Sequence, residues 1–160
     1  WMGTFHSIFS RILRTEAQSL GYTSNFTIYD QNDSRSLVKS IVKEMGLDEK
    51  VYKPAVVENR ISMAKNRLIS PSAYARNSQL YQIDMSANMP AVRDIYEVYW
   101  NRCHKSNAMD FDDLLVNTYI LFKQFPDICK KLFELLHYLC FPKFLIHFSS
   151  FDQIKPLQTK

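Results

Sequence analysis

The stretch VRDIYEVYWNRCHK, residues 92–105, decides the fold class. Val92, Ile95, Tyr96, Tyr99, Trp100 and Cys103 recur at three- and four-residue spacing, which lines them along one face of a helix. An aromatic stripe at this spacing is read first as core, because such rings bury large apolar areas, and only second as a ligand site. Downstream, Asp110 is placed to cap a helix with Phe111, Leu114, Leu115, Thr118 and Phe122 inward, and Pro126 starts another.

Upstream, the same periodicity continues. QIDMSANM, residues 82–89, is the most linker-like segment, and before it Ser70 and Pro71 read as N-cap and first residue of a short helix through Leu80. Pro54 opens a helix with Val57, Ile61, Ala64 and Leu68 on one side, while Arg60 and Arg67, seven apart, share another. Asp33 or Ser34 caps a helix whose face is Leu37, Val38, Ile41, Val42 and Met45, closed by Gly46. NFTIYD, residues 25–30, is a short β-prone piece. Ile8, Phe9, Ile12, Leu13, Ala17 and Leu20 make a helix of residues 7–20, with Gly21 where it ends. The expected fold is all-α, with at most one or two very short strands and no internal repeat.

Bulk properties agree. A chain of 160 residues is one domain's worth, with 46% apolar and 22% charged residues, and three glycines and six prolines supply few turns for a strand-rich fold. The net charge of +4 permits a polyanionic partner without requiring one. Its distribution is more telling: residues 50–76 carry Lys50, Lys53, Arg60, Lys65, Arg67 and Arg76 against Glu58 alone, a net of +5, read as either a solvated face or a phosphate-facing one. Cys103, Cys129 and Cys140 lack metal-ligand spacing and are odd in number, which fits a reducing, intracellular (cytoplasmic) setting better than a disulfide framework. No apolar run approaches the length of a membrane span, so no membrane partner is expected.

Two constellations have chemical content. MDFDDLL places Asp110, Asp112 and Asp113 within four residues, a pattern that metal-assisted phosphoryl chemistry also uses. Carboxylates at an N-cap and in a first turn equally complement the orphan amides and the helix dipole, and that reading is preferred; no metal site is expected. His6, between Phe5 and Ser7 just before a helix, belongs either to a plain capping segment or to a group that grips a phosphate and stacks a base. A hydrolase triad lacks its Gly-flanked nucleophile turn. Neither a GxxxxGK[ST] loop nor a strand ending in Asp-Glu occurs, so no catalytic residue is assigned and nothing in the chain is expected to cradle a triphosphate with Mg²⁺.

The order of several pieces goes further. WMGTFHSIFSRILR, at residues 1–14, resembles the W-x-G-T-F-H-S motif and following apolar-basic helix of the UvrD/PcrA/Rep family of superfamily 1 DNA helicases. FTIYDQNDS is similar to that family's F-x-I-x-D-x-x-D, which enters a helical insert called subdomain 1B. MAKNRLISPSAYA and IYEVYWNRCHKSNAMDFDDLL resemble the rest of the insert and the DFDDL return into the motor core. The resemblance covers about residues 1–132 and implies an ATP-driven enzyme, using Mg²⁺, that moves 3′ to 5′ along single-stranded DNA in repair or replication.

On that basis the chain is expected to be a fragment of a P-loop α/β motor. Residues 1–24 would be a piece of motor domain 1A, 25–107 the insert, 108–132 the return to 1A, and 133–160 a divergent tail. There Pro142 and Lys143 stand near the position of the family's acidic pair, so the fragment itself is expected to lack cofactors and ATPase activity. The resemblance implies that Thr4, Phe5, His6 and Ser7 lie along the single-strand track, where contacts to phosphates carry no sequence information. Arg60, Lys65 and Arg67 are the candidates for duplex contact at a single-strand/duplex junction, and Asp110, Phe111, Asp112 and Asp113 anchor the returning helix. The expected partners are DNA and the rest of the motor. The rival from another class is a helical scaffold or protein-interaction domain whose basic stretch is incidental.

Overall fold

The computed structural model describes residues 5–130 of the chain. Its elements are α1 (Phe5–Thr15), a 3-10 turn (Ala17–Leu20), β1 (Thr27–Tyr29), α2 (Gln31–Glu44), α3 (Pro54–Asn66), α4 (Pro71–Arg76), α5 (Ser78–Ser86), α6 (Val92–Lys105), β2 (Ala108–Asp110) and α7 (Phe111–Gln124). The expected helical fold with two very short strands is the observed one. One compact unit ends at Ile120 and another begins at Leu121. In the second, the Phe125 carbonyl accepts from the amides of Ile128 and Cys129 at 3.0 and 3.3 Å, and residues 126–130 are helical from Pro126 onward.

The core of the first unit is built on α6. Val92, Ile95, Tyr96, Tyr99 and Cys103 are all buried and pack with Val38, Ile41 and Val42 of α2 and Val57, Ile61 and Ala64 of α3. Trp100 is only partly buried, against the edge of the same cluster. Tyr74 of α4 meets Tyr96 edge-on at 5.8 Å, the arrangement that suits ring quadrupoles.

The strands pair in parallel, Thr27 with Ala108, Ile28 with Met109 and Tyr29 with Asp110. Everything between them, α2 to α6, is therefore one long crossover whose two ends lie side by side. Asn107 reinforces the junction: its Oδ1 accepts from the Thr23 amide at 2.9 Å and its Nδ2 donates to Thr23 Oγ1 at 2.6 Å. Its φ of 49° is the left-handed conformation that asparagine tolerates better than most residues. Each strand runs straight into a helix capped by a D-x-x-D box. In the first, Asp30 Oδ1 accepts from the Asp33 amide at 2.8 Å and Asp33 Oδ2 from the Asp30 amide at 3.0 Å.

Several local expectations are corrected. Asp30, not Asp33 or Ser34, caps α2, because β1 ends one residue earlier and leaves Asp30 extended. The first helix stops at Thr15 and finishes as a 3-10 turn, with Gly21 in the left-handed conformation at φ 76°. Residues 82–89 are not a linker: α5 runs through Ser86, and Asp84 is drawn inward by a salt bridge with Arg60 and a 2.8 Å hydrogen bond from the Tyr74 hydroxyl. The helix expected from Pro71 to Leu80 is broken at Asn77, whose Oδ1 accepts from the amides of Gln79 and Leu80 and so caps α5. Met45, Leu68, Phe111 and Leu115, all assigned to inner faces, are exposed.

Candidate nucleic-acid interface

β2 ends at Asp110, and the turn into α7 is the most tightly determined polar site in the described chain. Asp110 Oδ1 accepts from the Asp113 amide at 2.8 Å, and Asp113 Oδ2 accepts from the Asp110 amide at 3.1 Å, a second reciprocal box. The remaining oxygens face Lys65 of α3. Its ammonium lies 2.6 Å from Asp110 Oδ2 and 2.7 Å from Asp113 Oδ1, with only 1% of its side chain exposed. Tyr99 of α6 donates a further 2.8 Å hydrogen bond to Asp110 Oδ2. The Lys65 ammonium also lies 5.0 Å from the centre of the Tyr99 ring.

Electrostatics follow from this enclosure. Burial works against a charged Lys65, but the Asp113 and Asp110 carboxylates outweigh it and hold the ammonium above its ordinary range. Burial likewise opposes ionisation of Asp110, yet Lys65 keeps it below the usual carboxylate value. Asp113 is pushed up to about 6, by burial first and by the neighbouring Asp110 next, with Lys65 opposing. The ammonium occupies the place between Asp110 and Asp113 that a divalent cation would need. Among the described residues no group of three or more His, Cys, Asp or Glu side chains is arranged to hold a metal ion.

Asp112 and Phe111 face outward from the same turn. Asn66, next to Lys65, donates from Nδ2 to Asp112 Oδ1 at 3.1 Å and to the Ser62 carbonyl at 2.9 Å. The Phe111 ring, 47% exposed, meets the His6 imidazole edge-on, with centroids 5.4 Å apart and planes at 83°. His6 is half-buried and Ser7 exposed on the first turn of α1. Thr4 and the Phe5 side chain lie outside the described residues. Of the expected single-strand residues, His6 and Ser7 are thus presented at a surface, and Phe111, read from sequence only as an anchor, joins them.

The expected duplex contacts separate. Lys65 is corrected outright: an ammonium enclosed by two carboxylates and shut off from solvent has nothing to offer a phosphate. Arg60 is half-buried and committed to Asp84. Arg67 is exposed, as are Lys50, Lys53 and Arg76. A sequence signal for the burial of Lys65 existed. It stands four residues after Ile61, on the same helical face as Val57 and Ile61, and a lysine there needs carboxylates of the kind that MDFDD supplies.

Comparison with known proteins bears on the same segments. The description of the UvrD/REP helicase N-terminal domain matches residues 1–141. The chain is 40% identical over 131 residues to the ATP-dependent DNA helicase UvrD1 of Mycobacterium tuberculosis (strain ATCC 25618 / H37Rv), covering 81% of this chain and 17% of that protein. It is 34% identical over 140 residues to the ATP-dependent DNA helicase PcrA of Leuconostoc citreum, covering 86% and 18%. To PcrA of Staphylococcus aureus (strain NCTC 8325 / PS 47) it is 35% identical over 128 residues, covering 80% and 17%. The chain therefore spans 17–18% of the length of these curated relatives.

Proposed function

Because the chain belongs to the UvrD/REP helicase family, by a match over residues 1–141, we propose that it is the DNA-facing helical insert, with its motor-domain borders, of an ATP-dependent 3′ to 5′ DNA helicase of repair or replication. Residues 25–107 correspond on this reading to subdomain 1B, with 1–24 and 108–132 belonging to motor domain 1A. The parallel pairing of β1 with β2 and the Asn107–Thr23 bridge support that division, since both ends of the insert leave through one short ribbon. Residues 133–160, expected as a divergent tail, lie outside the described residues, and the family match itself extends to residue 141. ATP and Mg²⁺ serve the parent enzyme through other residues, and the chain alone turns over no ATP.

The observation that carries the reading is the meeting of His6 with Phe111. Two motifs about a hundred residues apart place a pair of partly exposed rings at one surface, and Ser7 is exposed on the same helical turn as His6. Base stacking on such rings tolerates any sequence, which suits an enzyme that must travel along DNA. Thr4 and the Phe5 side chain, outside the described residues, are assigned to the same track on the motif resemblance alone. Arg67, with the exposed Lys50, Lys53 and Arg76, supplies positive charge for duplex phosphates. Arg60 contributes through the fold, by fixing Asp84.

The test is a salt titration of binding to a single-strand/duplex junction, followed by fluorescence anisotropy. A DNA-facing insert weakens linearly in log–log form as salt rises, and Arg67→Ala lowers the slope by about one phosphate contact. A chain that ignores the junction even at low salt has no DNA role of its own.

A further inference from the structure

Lys65 and Asn66, the last two residues of α3, hold different carboxylates of one four-residue turn. Lys65 pairs with Asp110 and Asp113, and Asn66 donates to Asp112, while the ring of Phe111, between them, meets His6. We infer that Lys65 and Asn66 are positioning residues through which the helical insert sets the Phe111 ring against His6. The functional consequence rests on reading His6 and Phe111 as a single-strand surface.

The physical argument starts from the rigidity of α3. Val57, Ile61 and Ala64 anchor it in the core, so its C-terminal end is a fixed point rather than a loose arm. From that point Lys65 reaches into the turn and bridges two carboxylates that would otherwise repel each other in a buried place. With Asp110 and Asp113 also bonded to each other's amides, the backbone on both sides of Phe111 is held, and its ring position follows. Tyr99 adds a second support from α6. Removing the ammonium forces the carboxylates apart or makes them take up a proton. Spreading of the carboxylates shifts the backbone that carries Phe111, and protonation weakens the carboxylate–amide bonds that hold it, so the 5.4 Å contact with His6 registers either response.

Ring-proton shifts of His6 in the intact 160-residue chain, at one fixed pH, read this directly, because an aromatic edge contact displaces them. Phe111→Leu defines the shifts without the contact, and His6→Gln assigns the signals. In folded Lys65→Met the His6 signals move toward the Phe111→Leu positions, Lys65→Arg returns them part of the way, and Asn66→Ala gives a smaller displacement in the same direction. His6 signals that coincide with the parent's in folded Lys65→Met and Asn66→Ala overturn the inference. Should Lys65→Met not fold, Asn66→Ala and Asp112→Ala decide it alone, since both remove the same exposed bond.

Binding of a fluorescent oligothymidylate separates the inference from the reading beneath it. Lys65→Met weakens binding about fivefold, the low end of one stacked base, and the double variant with Phe111→Leu binds no more weakly than Phe111→Leu alone. Additive losses overturn the positioning role. An unaltered chain that fails to bind the oligonucleotide removes the single-strand reading, and the ring shifts still decide whether α3 positions Phe111.

Discussion

Replacing Lys65 with methionine isolates the charge at the centre of the MDFDD turn. Methionine has nearly the same length, and a neighbouring cavity of about 120 Å³ lined by Leu68, Ile69, Tyr96 and Trp100 gives it room, so the loss is electrostatic rather than steric. The variant leaves Asp110 and Asp113 buried without their cation, and removing one member of a buried ion pair costs about 3–5 kcal/mol. For a chain of this size each kcal/mol moves the melting temperature by about 3 °C, so a fall of about 10–15 °C is expected at pH 7. Urea denaturation followed by far-ultraviolet circular dichroism measures the free energy directly.

The pH dependence identifies the mechanism. Without the ammonium both carboxylates have folded-state values above their unfolded ones, so the native variant binds more protons than the unfolded chain. Its stability therefore rises as pH falls from 7 toward the ordinary carboxylate range near ~4. In the parent, Lys65 is held above its usual range and stays charged throughout that window. Asp110 is held low, and its contribution disappears only as pH falls through its depressed folded value. Asp113, at about 6, gives the parent a weaker gain of the same sign as the variant's. The gap between the two proteins is thus widest at neutral pH and narrows toward pH ~5. Adding Asp113→Asn to Lys65→Met removes one of the stranded charges while keeping an acceptor for the Asp110 amide, and recovers part of the loss. A variant within about 1 kcal/mol of the parent at pH 7, with a gap that does not change on acidification, refutes the reasoning.

Three further outcomes are checked in the same chain. Asp84→Ala strips Arg60 and the Tyr74 hydroxyl of their common partner at a buried carboxylate and destabilises by about 2–3 kcal/mol in urea, reduced from a fully buried pair because Arg60 is partly solvated. Cys103, whose thiol burial pushes up to about 12, stays unmodified by iodoacetamide at pH 8 in the native chain and reacts once urea unfolds it, as peptide mass mapping reads. Glu44, pulled down to about 2 by hydrogen bonds from Arg102 and Ser40, contributes stability that is present above the ordinary glutamate value and lost as pH falls toward 2; Glu44→Gln flattens that acid limb of the urea midpoint.

The helical layout was legible because apolar residues at helical spacing leave little choice of face: the stripe of α6 is buried at Val92, Ile95, Tyr96, Tyr99 and Cys103, and Pro54 does begin α3. What escaped was polar and long-range. Asp84 gives the segment 82–89 a linker's composition, and only Arg60 and Tyr74, 24 and 10 residues earlier, turn it inward. AMD at residues 108–110 is too short for a strand signal of its own and becomes one by pairing with Thr27–Tyr29 across the whole insert. Lys65 lay inside a basic run, and charge counting treats every member of such a run as solvated. Its place on the Ile61 face was the better guide. Phe111 misled in the opposite direction: it follows a cap and precedes an apolar helix, yet its position on the first turn points it outward to His6.

The proposed passage of a DNA strand over His6 and Phe111 is tested by the change in the chain's ring and amide resonances as oligothymidylate is added at low salt. Saturable shifts centred on His6, Ser7 and Phe111 are expected, absent for the same ring signals when Phe111 is replaced by leucine. Shifts centred instead on the Glu44–Arg102 face or on α5, with His6 and Phe111 unmoved, contradict it.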